Sequence, residues 1–231
     1  MAYTKRLDGR KFDETRKIEA KTGVIKNADG SAFFKIGKTT AYAAVYGPKE
    51  HFPRSQQDPT KGVLRCNYNM MPFSGTGERV RPGPNRRAKE ISMVTTNSLK
   101  AVVDLSDCPN AVVDVFIELP ETDAGSRCAG ICAASMALAD AGIKMKDVVS
   151  AIACGIVDGS VVVDLDYLEE AHEGDVADIP LAMIPSTGEI TLLQMDGKIS
   201  RDELDEALKM TLEPLRKIAE IQRKALKERF K

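Results

Sequence analysis

The sequence predicts an α+β fold of two similar lobes, and three observations carry that prediction. Segments rich in Val, Ile, Thr, Phe and Tyr, punctuated by Gly and by Asp-Gly, open the chain at residues 17–47 and recur after residue 150. In each half the strand-like segments give way to a long stretch of helical periodicity. No linker or low-complexity segment separates the halves, so the lobes are expected to share an interface. The N-terminal lobe is read as residues 1–148 and the C-terminal lobe as residues 149–231, within a chain long enough for one large domain or two small ones.

The elements follow in order. KIEAKTGVI, SAFFKIG and TTAYAAVYG read as strands, and Asp29 with Gly30 suits a tight turn needing positive φ. Residues 49–62 form a polar loop interrupted by proline. In VLRCNYNMMPF (63–73) the alternation puts Leu64, Cys66, Tyr68 and Met70 on the core face and Val63, Arg65, Asn67 and Asn69 on the other. A basic loop rich in Gly and Pro runs from Gly75 to Pro84, followed by a helix over 86–103 with Asn85 as its N-cap. AVVDVFIEL (111–119) alternates again and is expected to stop at Pro120. RCAGICAASMALADAG (127–142) is small and apolar nearly all round, which predicts a central helix packed on both sides and ended by Gly142. Beyond residue 150, AIACGIV and SVVVDL make a hairpin about Asp158 and Gly159, and LAMIP and EITLLQM make two more strands. Ser200 and Glu203 form a capping box for a last helix that Pro214 should kink or divide.

Composition narrows the function. Thirty-three Lys and Arg against 34 Asp and Glu leave a net charge of -1, so any polyanion or phosphate site must be a local concentration of cations. No run approaches the roughly 20 apolar residues of a membrane span. The start, MAYTKRLDGRK, lacks the apolar stretch of a signal peptide. Tryptophan is absent and aromatics are 5%, which argues against broad base-stacking surfaces. Five scattered cysteines without a CxxC pair, and only two histidines, argue against zinc and for buried thiols in a reducing, cytoplasmic setting.

Three segments carry chemistry. ERVRPGPNRRAKE (78–90) holds five cations and two acids, and Arg86 and Arg87 fall in the first turn of a helix. Cations oppose the macrodipole there by about 0.3 to 1 kcal/mol each, an arrangement that makes sense if an anion occupies that end. ETDAGSR (121–127) sits at a strand-to-helix turn. Gly125 permits close backbone approach, Ser126 offers a hydroxyl and an N–H, and Arg127 offers a two-pronged donor. Two helix N-termini that both carry Arg suggest a phosphate cradle with Arg87 and Arg127 as clamps. The third segment is the acidic run DLDYLEEAHEGDVAD (164–178), which is either a solvated loop, a divalent-metal site, or the source of a proton for a leaving oxygen. Spacing does not choose among these.

In this combination and order, LDGRKFDETRKI, RCNYNMMPFSG, GPNRRAKE, ETDAGSR, ASMALADAGI and VVVDLDYLEEAHEGDVADIPLAM resemble the phosphorolytic exoribonucleases of the RNase PH family, and most closely the catalytic ring subunits of archaeal exosomes. The resemblance covers nearly the whole chain. It implies an RNase PH-like fold: two similar βαβ-type lobes with mixed sheets packed on central helices. It implies that Arg86 and Arg87 hold the RNA 3′ end and the attacking phosphate. Gly125, Ser126 and Arg127 are then the inorganic phosphate site, and Arg65 and Arg79 contact the RNA backbone. Asp178 stands where the family has the aspartate of its ADMP motif. The family's general acid lies at the end of an Glu-Asp pair, six residues before that aspartate. Here the pair reads Glu-Glu and the loop is two residues longer, so counting forward from Asp164 gives Glu170 and counting back from Asp178 gives His172. Glu170 is favoured, because an insertion is simpler than exchanging an acid for imidazole. A second departure is Asn67, where relatives often carry another arginine.

The implied activity is phosphate-dependent 3′-to-5′ exoribonuclease action that releases nucleoside diphosphates, with inorganic phosphate as co-substrate and 3′ tailing as its reverse. A Mg²⁺ ion at Asp178 and Glu170 is consistent with it. The implied partners are RNA, a related inactive subunit alternating with this one in a hexameric ring, and RNA-binding cap proteins. The alternative, favoured only by the Glu-Glu pair, is a ring subunit that binds RNA without chemistry.

Overall fold

A computed structural model describes residues 3–76, 80, 81, 83 and 85–229. Strands β1 (Ile18–Thr22), β2 (Gly30–Ile36), β3 (Thr39–Glu50), β4 (Val63–Met70) and β5 (Ala111–Glu121) form one sheet in the order β1-β2-β3-β5-β4. It is mixed, because β4 runs parallel to β5 while the other pairs are antiparallel. Helix α1 (Arg86–Lys100) makes the crossover between those parallel strands, and α2 (Ser126–Asp140) follows β5. The second sheet is built from β6 (Ser150–Val157), β7 (Ser160–Val163), β8 (Val176–Met183) and β9 (Ile190–Leu193), in the order β7-β6-β8-β9. It is antiparallel throughout, so the mixed character and the βαβ unit belong to the first lobe. A single turn, α3 (Tyr167–Glu170), and the long α4 (Arg201–Arg229) complete the chain. No helix among the described residues is long and apolar enough to cross a membrane.

The α+β reading with central helices holds. α2 buries every residue from Cys128 to Leu138 and lies between β2 and β3 on one side and β6 on the other. Its alanines and Gly130 let both sheets approach closely. The price is a shared core: Phe34, Ile117, Ile131, Met136, Ile152, Leu181 and Leu215 from both lobes belong to one cluster. Each such side chain contributes roughly 1.5 to 3 kcal/mol on burial.

The edge strand β4 is held to α1 by side chains. The Cys66 N–H donates to Thr96 Oγ1 at 3.1 Å and the Tyr68 N–H to Ser92 Oγ at 2.9 Å. These bonds occupy donors that an edge would otherwise expose, and they fix where the helix begins relative to the strand. The alternation expected in β4 is observed: Leu64, Cys66 and Tyr68 are buried, and Arg65 and Asn67 are exposed.

Several local expectations need correction. Gly30 is not a positive-φ turn residue but opens β2; a Cβ there would lie 2.2 Å from the Ala141 nitrogen and 2.5 Å from the Ala137 carbonyl, so it is a packing glycine. Positive φ falls instead at Gly23, +67°, directly after β1, and at Gly37, +58°, between β2 and β3. Asp158 and Gly159 do turn with positive φ, at 44° and 78°, and pair Val157 with Ser160. β5 runs through Pro120, which is tolerated because the β3–β5 register shifts opposite it. α1 ends at Lys100, and Pro214 lies within α4 without dividing it.

Candidate functional site

Two helices begin at one cavity. Asn85 caps α1, its side chain accepting the Ala88 N–H at 2.7 Å, and the first turn carries no acid. α2 begins after Ala124 and Gly125, both left-handed at φ 58° and 61°. Gly125 has no side chain with which to cap, and the first intrahelical bond runs from Ala129 N–H to the Gly125 carbonyl. The N–H groups of residues 126–128 therefore have no intrahelical partner. Asn85, Arg87, Ala88, Gly125, Ser126 and Arg127 all line a cavity of 320 Å³. Left-handed Ala124 is imposed by its surroundings: Thr39 Oγ1 donates to the Ala124 carbonyl at 2.6 Å and accepts the Asp123 N–H at 2.8 Å. Arg16 donates to the Asp123 carbonyl and is itself clamped by Asp164, Nη2 to Oδ1 at 2.7 Å and Nε to Oδ2 at 3.0 Å.

Inside this frame several donors line the cavity. The Tyr68 hydroxyl, pushed up to about 12 by burial, stays protonated and donates to Ser126 Oγ at 2.9 Å. The Ser126 proton is left for another acceptor. Arg127 pairs with Glu90 at 3.5 Å and donates to Gln194 Oε1, while its Nε has no partner among the described residues. Cys128 also lines the cavity, but burial holds its thiol well above the usual range, so it is no nucleophile.

Opposite the cations stand two carboxylates. Glu170, at the end of α3, and Asp178, on β8, line the 320 Å³ cavity and an adjoining one of 550 Å³ that also takes in Arg87, Arg127, Glu90 and Gln194. Burial pushes Glu170 up to about 7, reinforced by the nearby Asp178 charge and opposed by Arg87, the Gly125 backbone and Arg16. Burial likewise pushes Asp178 up to about 6, with Arg127 pulling it down and Asp196 pushing it up. Asp178 Oδ1 is buried without a hydrogen-bond partner among the described residues. A carboxyl poised near neutrality beside a cationic pocket suits proton donation to a leaving oxygen.

The rest of the acidic run does other work. Glu169 is fully buried against Arg6, Asp164 against Arg16, and Asp166 caps α3. His172 pairs with Asp158 at 2.9 Å and Asp175 is exposed; neither lines a cavity with the arginines. α3 has no counterpart among the elements read from the sequence: its four residues sit in the acidic run, and buried Arg6 and Tyr3, far away in sequence, hold it.

Of the residues singled out in the sequence, Arg87, Gly125, Ser126, Arg127, Glu170 and Asp178 are brought together. Arg86 is exposed on the same helical turn and lines neither cavity. Arg65 lies near the far end of β4, about 16 Å along the strand from Met70 at the cavity, forking onto Asp114 at 2.6 and 3.0 Å. Arg79 lies outside the described residues. Sequence reasoning missed Tyr68, Glu90, Gln194 and Arg16 as site residues. Glu90 had a legible signal, standing three positions after Arg87 on the same helical face. As for a metal, the described residues contain no cluster of three or more His, Cys, Asp or Glu, but the two carboxylates and the unmet Asp178 oxygen fit Mg²⁺, which takes one or two carboxylates and completes its shell with water and phosphate oxygens.

The chain is similar over nearly its whole length to known proteins. A protein named exosome complex component Rrp41 from Methanopyrus kandleri is 49% identical over 225 residues, spanning 97% of this chain and 93% of that protein. One of the same name from Thermococcus kodakarensis is 50% identical over 226 residues, spanning 98% and 90%. Rice Rrp46 superposes with a TM-score of 0.82 at 26% identity, covering 96% of this chain and all 100% of that one. A chain of the Archaeoglobus fulgidus exosome, solved with RNA bound to the active site, superposes with a TM-score of 0.78 at 26% identity over 99% and 93%. Residues 14–144 match domain 1 of the 3′ exoribonuclease family and residues 147–213 match domain 2, and the chain belongs to that RNase PH family.

Proposed function

We propose that this chain is a phosphorolytic 3′-to-5′ exoribonuclease subunit of an exosome. The observation that carries the reading is the meeting of two uncapped or cation-bearing helix N-termini, Arg87 and Arg127 with two carboxylates raised to about 7 and about 6. A cationic cradle stabilises charge on a transferring phosphoryl group, and positioning with electrostatics supplies most of the catalysis in such reactions.

The N–H groups of residues 126–128, the Ser126 hydroxyl and Arg127 hold inorganic phosphate. Arg87, with Arg86 beside it, holds the 3′-terminal phosphodiester. A phosphate oxygen attacks the terminal phosphorus, the P–O3′ bond breaks, and the departing 3′ oxygen takes the proton of Glu170. The products are a nucleoside diphosphate and an RNA one residue shorter with a free 3′ hydroxyl. The proton lost from the attacking phosphate restores the acid. Asp178, charged at lower pH than Glu170, keeps that neighbour protonated by repulsion. Where Mg²⁺ binds, Asp178 would hold it, joined by Glu170 only once Glu170 has given up its proton, and its charge would neutralise the phosphoryl oxygens. Arg65 and Arg79 guide the RNA backbone toward the cavity. The assembly is an alternating hexameric ring with a related inactive subunit and RNA-binding caps, in the cytoplasm. Its support is the likeness to proteins named as exosome components.

The test is degradation of 5′-labelled RNA by the assembled ring with and without inorganic phosphate. Diphosphate products that depend on phosphate are expected. Monophosphate products without phosphate would mean hydrolysis, and binding without shortening would leave a non-catalytic ring subunit.

A further inference from the structure

Arg127 is gripped from two sides at once. It belongs to the first turn of α2, and its Nη1 donates to Oε1 of Gln194, immediately after β9. Its Nη2 reaches Glu90 Oε2, on α1, at 3.5 Å. Gln194 Nε2 closes the ring by donating to Glu90 Oε1 at 2.8 Å, across 104 residues of sequence. All three residues line the 550 Å³ cavity with Arg87, Glu170 and Asp178. Glu90 is an odd occupant on charge alone, since a carboxylate beside an anion cradle weakens anion binding. As an acceptor it is well placed: with Gln194 it engages the two terminal nitrogens of the guanidinium and leaves Nε without a partner among the described residues. A long side chain that otherwise samples many rotamers is thereby held in one, with the second proton on each terminal nitrogen still to be used.

We propose that Gln194 and Glu90 are positioning residues that aim the Arg127 guanidinium at the attacking phosphate, so that the C-terminal lobe completes a phosphate site whose other members lie in the N-terminal lobe. This rests on the phosphorolytic reading above. Gln194 acts by accepting from Arg127 and by fixing Glu90; Glu90 acts as an acceptor, its charge being incidental.

The experiment uses the full chain in its active assembly. Gln194→Met keeps side-chain length and volume and removes both hydrogen bonds, and Gln194→Ala is its companion. Either should raise the KM for inorganic phosphate roughly tenfold, the order of one charge-assisted hydrogen bond, and leave the KM for RNA within about twofold. The rise in Tm that inorganic phosphate gives the chain should shrink in parallel. Glu90→Gln, which keeps an acceptor without the charge, should bind phosphate as well as the parent or better. In an Arg127→Ala background, Gln194→Met should add nothing. A Gln194→Met chain with lowered Tm but parental phosphate KM would show the ring to be a lock between lobes only, and would overturn the proposal. So would full additivity with Arg127→Ala, or a phosphate KM raised by Glu90→Gln as much as by Gln194→Met. If Arg127→Ala itself leaves phosphate use unchanged, the phosphorolytic reading of this site fails, a result distinct from failure of the positioning role.

Discussion

Glu169 and Glu170 are neighbours on one turn of helix, and both are withdrawn from water, yet they have opposite chemistry. Glu169 takes both prongs of Arg6, Nε to Oε1 at 2.8 Å and Nη2 to Oε2 at 2.7 Å, together with the Tyr3 hydroxyl at 2.8 Å and the Asp166 N–H at 3.1 Å. Burial by itself would raise its pKa, but Arg6, the Asp166 backbone and Tyr3 together hold it below the ordinary value. Glu170 is offered no such fork. Its cations are across a cavity, a second carboxylate is close, and it is driven up to about 7. The difference lies in the partners and not in the depth of burial. A carboxylate held in a guanidinium fork stays charged; one without the fork, facing a second carboxylate, is pushed toward neutrality.

The comparison is broken most directly by neutralising each member. Glu170→Gln should lower the rate by ~10²- to 10⁴-fold, the usual contribution of a general acid, with RNA still bound and the Tm unchanged or raised. Glu169→Gln should do the reverse. It leaves Arg6 buried without its counter-charge, at a cost of about 3 to 5 kcal/mol, and the folded fraction should keep its activity. Melting curves and phosphorolysis rates on both chains decide the matter. His172→Ala and Asp175→Asn are the companions, since a shifted alignment of this loop would put the acid at one of them. A silent Glu170→Gln beside an inactive His172→Ala would move the acid there. Activity in all of these with a dead Asp178→Asn would leave a single essential carboxylate.

That Glu169 and Glu170 part ways was not legible in the sequence, and the reason is physical. Periodicity reports which face of an element is apolar, so the alternation of β4, the buried α2, the Asn85 cap and the Ser200–Glu203 capping box could all be read locally. The two helix N-termini were legible as well, because Arg in a first turn and Gly-Ser at a helix start are local anomalies. Partners from distant segments leave no local trace. Arg6 meets Glu169 across 163 residues and Tyr3 meets it across 166. Gly30 failed for the same reason: its neighbours Ala137 and Ala141 lie on the last turn of α2 and at its C-cap, more than a hundred residues on, and a turn was the nearer explanation. The resemblance to a family placed Glu170 and Asp178 where periodicity could only offer an acidic loop.

The cations of the two regions sharpen the contrast at smaller amplitude. Arg127 is half-buried, with a pairing to Glu90 that is long at 3.5 Å, whereas Arg6 is sealed against Glu169 at 2.7 Å. Arg127→Ala should weaken phosphate use by roughly 10- to 150-fold, the worth of about 1.5 to 3 kcal/mol for a charged hydrogen-bonded contact, and leave the fold intact. Arg6→Ala should instead lower the Tm without changing the phosphate KM of the molecules that fold. The same logic separates the adjacent pair on α1. Arg87→Ala should cost more activity than Arg86→Ala, because only Arg87 lines the cavities. Steady-state kinetics against phosphate and RNA in turn reads all four chains, and equal losses at Arg86 and Arg87 would mean that both reach the substrate.

The smallest expected effect is in pH dependence, and its sign differs between the two glutamates. Glu170 binds its proton in the folded chain up to about 7, against an ordinary 4.5. Between those values the native state holds a proton that the unfolded chain has released. Unfolding therefore becomes easier as pH rises, by at most roughly 1.4 kcal/mol per pH unit for one group and less for one partly open to solvent. Asp178 adds the same trend from 3.8 to about 6. Glu169, depressed by Arg6, acts oppositely: its stabilisation is present above the ordinary carboxylate pKa and is lost as pH falls through the depressed value. The Tm of the parent should thus decline from about pH 5 to pH 7, and Glu170→Gln should flatten that decline, with Asp178→Asn removing its acidic half. Turnover should fall at most about tenfold per unit above pH 7 as the acid is deprotonated, and the residual rate of Glu170→Gln should lose that limb. A Glu170→Gln profile parallel to the parent's in both Tm and rate would return Glu170 to the ordinary carboxylates and leave the contrast with Glu169 without chemical content.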